Sequence, residues 1–327
     1  MADILEFDDK AVLRAVAVLT SGGLVAIPTE TVYGLAADAA HGEGVAGIFA
    51  AKGRPQFNPL IAHVDSIAMA ERYVTFDPIS RKLAKAFWPG PLTLVLPLKA
   101  KQDTMRPIHP LVTAGLDTLA IRMPTGRVRD VINQLDSPVA APSANTSGRI
   151  SPTSAKAVAD DLGSKIDMIL DAGPCGVGVE STIIKVEGER VRLLRPGGLA
   201  AEEIEALLGL KLERAEHNAA IQAPGMMESH YAPNAAVRLN AENVEQGEAL
   251  LAFGPLRVAD ADKAVAVLNL SVSGDLREAA SNLFDFMRQL DAHGARTIAV
   301  EPIPVDGLGE AINDRLKRAA APNSPET

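Results

Sequence analysis

The sequence has one cysteine, Cys175, in 327 residues, so neither an intrachain disulfide nor a cysteine cluster for zinc can form. Its small apolar neighbours make Cys175 a packed thiol rather than a nucleophile. No apolar run approaches the roughly 20 residues that cross a bilayer as a helix. The opening residues, MADILEFDDK, are acidic where a secretory signal is basic, which predicts a cytoplasmic protein with no membrane attachment. Net positive charge is also lacking. At a formal charge of -9 the chain is poorly suited to general nucleic-acid binding, which needs a basic surface to displace counterions. No Ser-His-Asp or Cys-His constellation suggests covalent catalysis, and no GxGxxG fingerprint follows the first strand of the C-terminal third.

What is present is 47% apolar residues in a length that allows two domains, each with its own core. The organising stretch is Gly22–Asp38, GGLVAIPTETVYGLAAD, where a strand over Leu24–Ile27 is stopped by Pro28. Thr29, Glu30, Thr31 and Tyr33 follow, either as a turn closing on its own backbone or as a ligand site. Three similar turns recur. KGRPQFNPL carries Lys52, Arg54 and Asn58 after a helical Val45–Ala51. AAPSANTSGRIS carries Ser143, Asn145 and Ser151 after a strand over Pro138–Ala141. The fourth runs from Gly173 to Thr182 and contains Ser181.

Spacing predicts helices over Ala11–Thr20, Ile67–Tyr73, Ile79–Phe87, Arg127–Leu135, Ser154–Leu162 and Glu202–Leu208. Strands are expected at Leu60–Val64, the LTLVLPL run after Trp88, Leu119–Met123, Met168–Asp171, Thr182–Val186 and Val191–Arg195. Trp88 reads as a core anchor. His63 and Arg122 each interrupt an apolar strand. His63 fits a core histidine bonded to backbone, and Arg122 must find an anion, either in a structural salt bridge or in a ligand. From Ala50 to Ile150 basic residues outnumber acidic ones, and those set in Gly/Pro-rich turns are the candidates for an anionic small ligand.

Together the four turns closely resemble the synthases of threonylcarbamoyl-AMP, over roughly residues 12 to 235, with the Lys-x-Arg turn preceding the Ser-x-Asn turn. The resemblance implies an N-terminal mixed twisted sheet with helices around a concave cationic cavity (1–208) and a linker or lid (209–235), while the alternation of strands and helices from Ala236 predicts a smaller parallel α/β domain (236–320) and the last residues a disordered tail (321–327). It implies Lys52 and Arg54 as the catalytic cations, with Asn58, Thr118, Ser143, Asn145, Ser151, Arg195 and Tyr231 also on the ATP side. Thr31, His63, Arg122, Ala141 and Ser181 are carried over to the threonine pocket. The implied substrates are ATP, L-threonine and bicarbonate, with Mg2+ arriving on ATP, no protein metal ligand and no tightly bound organic cofactor. The product passes to the machinery that modifies tRNA.

The segment APGMMESHYAPN, with Pro224, Met226, Met227, His230, Tyr231 and Pro233, is no ordinary flexible linker. In the two-domain family form an HY-x-P linker lies over the active site, while a structural staple is the competing reading. As a lid, Tyr231 would be removable at little cost in stability. Two other functions remain open: a related enzyme making carbamoyl-AMP, whose zinc-finger cysteines are missing here, and an RNA-binding or ribosome-assembly factor, disfavoured by acidity.

Overall fold

The first helix, Asp9–Thr20, starts where the Asp8 carboxylate accepts from Ala11 N at 2.8 Å and buries Ala11, Val12, Ala15 and Leu19. It stops at Ser21, and Gly22, at φ +83°, turns the chain into the strand Val25–Ile27. The computed structural model describes residues 1–214 and 230–321. Pro224, Met226, Met227 and the tail from residue 322 lie outside the described residues.

Eleven strands form the large sheet, and its pairings explain how the turns meet. Val25–Ile27 runs antiparallel to Gly34–Asp38, which pairs in turn with Val139–Ala140. This places the first and third turns side by side, with Leu35 N donating to Pro142 O at 2.7 Å. Val139–Ala140 also pairs with Ile61–His63, which lies parallel to Thr118–Arg122 and sets His63 opposite Arg122. Leu92–Pro97 completes this region, with Thr93 opposite Arg122 on one side and Ile183 on the other. Mixed pairing of this kind agrees with the expected mixed sheet.

Four further strands, Ala236–Arg238, Thr297–Val300, Ala249–Ala252 and Val267–Asn269, form a second sheet in that order, all parallel. Helices Leu276–Ala292 and Leu308–Ala320 accompany it. Its core of Leu283, Phe284, Met287, Ile298 and Leu316 is continuous with Val32, Ile150, Val179 and Tyr231. Each such side chain gains roughly 1.5–3 kcal/mol on burial, and the two helices of the small domain pack on the turn-bearing face of the large sheet. Gly178, at φ +77°, comes so close that a Cβ there would stand 2.3 Å from Ala280 O.

Most predicted elements are present within a few residues. Strands Asp3–Glu6 and Gly34–Asp38 and the short helix Pro110–Thr113 were not foreseen. GLAAD lacks β-branched residues, and its extended form comes from pairing on both edges, which local propensity cannot report. Among the described residues no helix is long and apolar enough to cross a membrane.

Candidate functional site

Lys52 ends the helix Gly42–Lys52, which Gly53 closes in the left-handed region at φ +61°. The Lys52 side chain is buried, and Nζ donates to Ser143 O and Asn145 O, each at 2.5 Å. One ammonium therefore fastens the second turn to the third. Arg54 folds back on its own turn, Nε donating to Asn58 O at 3.2 Å and Nη2 to Pro59 O at 2.9 Å. Arg195 donates from Nη2 to Ser181 O at 2.8 Å. The hydrogen-bond partners of Lys52 and Arg54 are thus carbonyl oxygens, which satisfy donors without cancelling charge. Burial, with the adjacent Arg54, pushes the Lys52 ammonium well below its ordinary range, and burial with Arg195 pushes Arg54 down to about 10.

Arg122 differs. Its Nη2 lies 2.6 Å from Glu30 Oε1, its Nη1 donates to Thr31 Oγ1 at 2.9 Å and its Nε to Gly90 O at 3.2 Å. Glu30 Oε2 in turn accepts from Thr125 N at 3.1 Å. Arg122 thus has a protein carboxylate, and it also lines a cavity. Beside it, burial and the Arg122 charge push His63 down to about 3, so the imidazole is neutral at pH 7. Its Nδ1 is buried with no hydrogen-bond partner. Thr29 Oγ1 donates to Val32 O at 2.7 Å, the backbone-closing role open to that turn.

A cavity of about 50 Å³ joins these groups. Thr31, Arg54, His63, Arg122, Ala141, Ser143, Ser181, Arg195 and Tyr231 line it. Lys52, Asn58, Asn145 and Ser151 stand behind the wall: Lys52 holds the Ser143/Asn145 turn, and Ser151 Oγ donates to Glu180 Oε1 at 2.6 Å. That bond uses the only proton of Ser151 when Glu180 is ionised. Thr118 is at the far end of its strand, four residues and roughly 13 Å from Arg122. Sequence reasoning missed Glu180; its only signal was a carboxylate within a run of glycines. A larger cleft of about 800 Å³ lies on the outer side of Thr29 and Glu30, but among the expected site residues it touches none.

Tyr231 closes the cavity at φ +63°, its ring stacked on Phe284 at 5.3 Å, with the Arg315 guanidinium 5.4 Å from its centroid. The ring is 1% exposed. A side chain packed this way carries stability as well as covering the cavity, contrary to the expectation that its loss costs little. Many cations of the 50–150 stretch are engaged elsewhere: Arg106 with Asp38, Arg127 with Asp9, Arg81 with Glu71. The Cys175 thiol is buried and pushed up to about 12, in keeping with a packed residue. Among the described residues no group of His, Cys, Asp and Glu could hold a metal ion. Among the described residues Glu180 is the one carboxylate lining the cavity, and both its oxygens are engaged, by Ser151 and Arg315. The donor set does not fit a resident cation.

The profile of the Sua5–YciO–YrdC family, described as telomere recombination, matches residues 17–197. A second profile, the C-terminal domain of threonylcarbamoyl-AMP synthase, matches residues 199–321. The chain is 39% identical to the threonylcarbamoyl-AMP synthase of Bacillus subtilis (strain 168), over 98% of this chain and 96% of the relative. To the enzyme of that name from Pyrococcus abyssi it is 41% identical, over 92% of each. The crystal structure of P. abyssi Sua5 complexed with L-threonine matches with a TM-score of 0.86 at 37% identity, over 98% of this chain and 97% of that one.

Proposed function

Since the chain belongs to the threonylcarbamoyl-AMP synthase family, we propose that it joins L-threonine, bicarbonate and ATP into L-threonylcarbamoyl-AMP, releasing pyrophosphate and water. The threonine amine adds to bicarbonate or CO2, and the resulting carbamate oxygen attacks the α-phosphorus of ATP as pyrophosphate leaves. No protein nucleophile is needed. The chain has to position two anions, offset their charge and exclude water.

The observation that carries this reading is a single small cavity with two unlike cationic ends. At one end Arg122 takes the threonine carboxylate, with Thr31, His63, Ala141 and Ser181 around it. At the other end Arg54 and Arg195 take the phosphates, with Lys52 adding its charge from behind the wall; Asn58, Ser143, Asn145 and Ser151 shape the two turns. Thr118 is kept on the ATP side by resemblance alone. Magnesium arrives on the ATP phosphates and supplies charge there. Tyr231 and His230 form the closing edge of a lid in the 209–235 linker, because a 50 Å³ cavity holds a water or two and must open for ATP. The catalytic unit spans 1–208 and the small domain 236–320. The product goes to the cytoplasmic machinery that modifies tRNA.

Pyrophosphate release measured with threonine and bicarbonate each omitted tests the reaction, with the adenylate identified by mass. Release that needs both supports it; ATP turnover indifferent to both overturns it.

A further inference from the structure

One small-domain side chain stands directly behind a carboxylate of the cavity wall and has no part in the proposed reaction. Arg315, on the helix Leu308–Ala320, is completely buried. Its Nε donates to Glu180 Oε2 at 2.9 Å, and Nη1 donates to Pro196 O at 2.7 Å and Asp314 Oδ2 at 2.8 Å. Glu180 lines the cavity and Arg315 does not; the arginine stands behind the carboxylate. The loop carrying Glu180 is also pressed on the small domain at Gly178, where no Cβ fits against Ala280 and Ser281.

A buried carboxylate must be paired. Were Arg315 absent, Glu180 would turn to the cations on its other side, and Arg195 and Lys52 are the ones that feel its charge. Those are the groups that would hold polyphosphate. We propose that Arg315 is a positioning residue for ATP binding: it neutralises Glu180 from behind, so that this carboxylate does not discharge the phosphate end of the cavity.

Two further facts agree. Burial alone would raise the Glu180 carboxyl, yet Arg315, Arg195 and the Ser151 hydroxyl hold it down at about 2. The other titratable groups around it are Asp314 on the Arg315 helix and His230 and Tyr231 in the connecting segment; burial pushes His230 down to about 3 and raises Tyr231, so both are neutral at pH 7. Arg315 is thus the cation that reaches Glu180 from outside the cavity. The small domain then does more than cover the large one; it sets the charge that ATP meets.

The inference rests on the synthase reading, and wild-type turnover measured alongside separates the two: no wild-type turnover overturns that reading alone. In the full-length chain, Arg315→Met should raise the KM for ATP about tenfold, one charge-assisted contact's worth, with the threonine KM changed less than about twofold. Its kcat/KM for ATP should also recover as pH falls, because Glu180, no longer held low, takes up a proton. Adding Glu180→Gln should return the ATP KM to within about twofold of wild type, and Arg315→Lys should lose less than Arg315→Met. Should Arg315→Met fail to fold, Glu180→Gln/Arg315→Met against Glu180→Gln alone carries the test, since Arg315 should matter little once the carboxylate is gone. Equal losses for both substrates, an unchanged pH profile and no rescue by Glu180→Gln would reduce Arg315 to a structural residue.

Discussion

The two ends of the cavity hold similar positive charge and treat it in opposite ways. Arg122 already has a carboxylate, Glu30, at 2.6 Å, whereas Lys52 and Arg54 donate to carbonyl oxygens. A paired arginine suits a ligand carrying one carboxylate, which can share or replace the resident one. Cations that only carbonyls satisfy keep their charge and repel one another, so they favour a polyanion. The pressure on Lys52 and Arg54, both pushed down by burial and by a neighbouring cation, is an electrostatic cost that a bound polyanion would relieve.

The largest effect expected is at the paired end. Arg122→Met strands the buried Glu30 carboxylate and should cost about 3 kcal/mol of stability. It should also raise the threonine KM by roughly 10- to 100-fold, the range of a charge-assisted contact. Adding Glu30→Gln should return most of the melting temperature but none of the threonine affinity. If both return together, Arg122 is only half of a structural salt bridge. Next comes Lys52→Ala, which removes a phosphate cation and the fastener between two turns. Its kcat/KM for ATP should fall by roughly 30-fold, with a threonine KM within about threefold of wild type. Similar losses for both substrates in both variants would erase the distinction between the ends.

A smaller effect is a proton balance. Because Lys52 is held below its ordinary range, the arrival of phosphates should raise it again, and ATP binding should be accompanied by proton uptake. Calorimetry in two buffers of different ionisation enthalpy reads this directly, and Lys52→Ala should abolish it; threonine binding should show no such Lys52-dependent uptake. The smallest effect concerns His63 and His230, both held near 3 by burial. Between about pH 3 and the unfolded value near 6.5 the unfolded chain binds more protons, so their contribution is complete above roughly pH 6.5 and is lost as pH falls. Melting temperatures from pH 7.5 to 5 should therefore fall more steeply for wild type than for His63→Asn. Parallel curves would mean that His63 is solvated.

Much of the site was legible because the polar turns follow apolar strands and are marked by prolines. Pro28, Pro55 and Pro59 stop regular structure at the points where Thr31, Arg54 and Asn58 are needed. An arginine within LAIRM could be singled out for the same reason, as a charge out of pattern. Gly34–Asp38 was not legible, since five small or ordinary residues take strand form only when neighbours supply both ladders. Glu180 was not legible either. Its meaning depends on a partner 135 residues away.

The sequence by itself determined the elements and their turns, the acidic surface and the absence of a cysteine site, because these follow from residue type and from periods of two or 3.6 along the chain. It also determined which cations were out of place. The tertiary structure decided their company: Glu30 for Arg122, the Ser143 and Asn145 carbonyls for Lys52, and Arg315 behind Glu180. Coulomb energy depends on distance through space and on the medium between the charges, and neither is written in the spacing of residues along a chain.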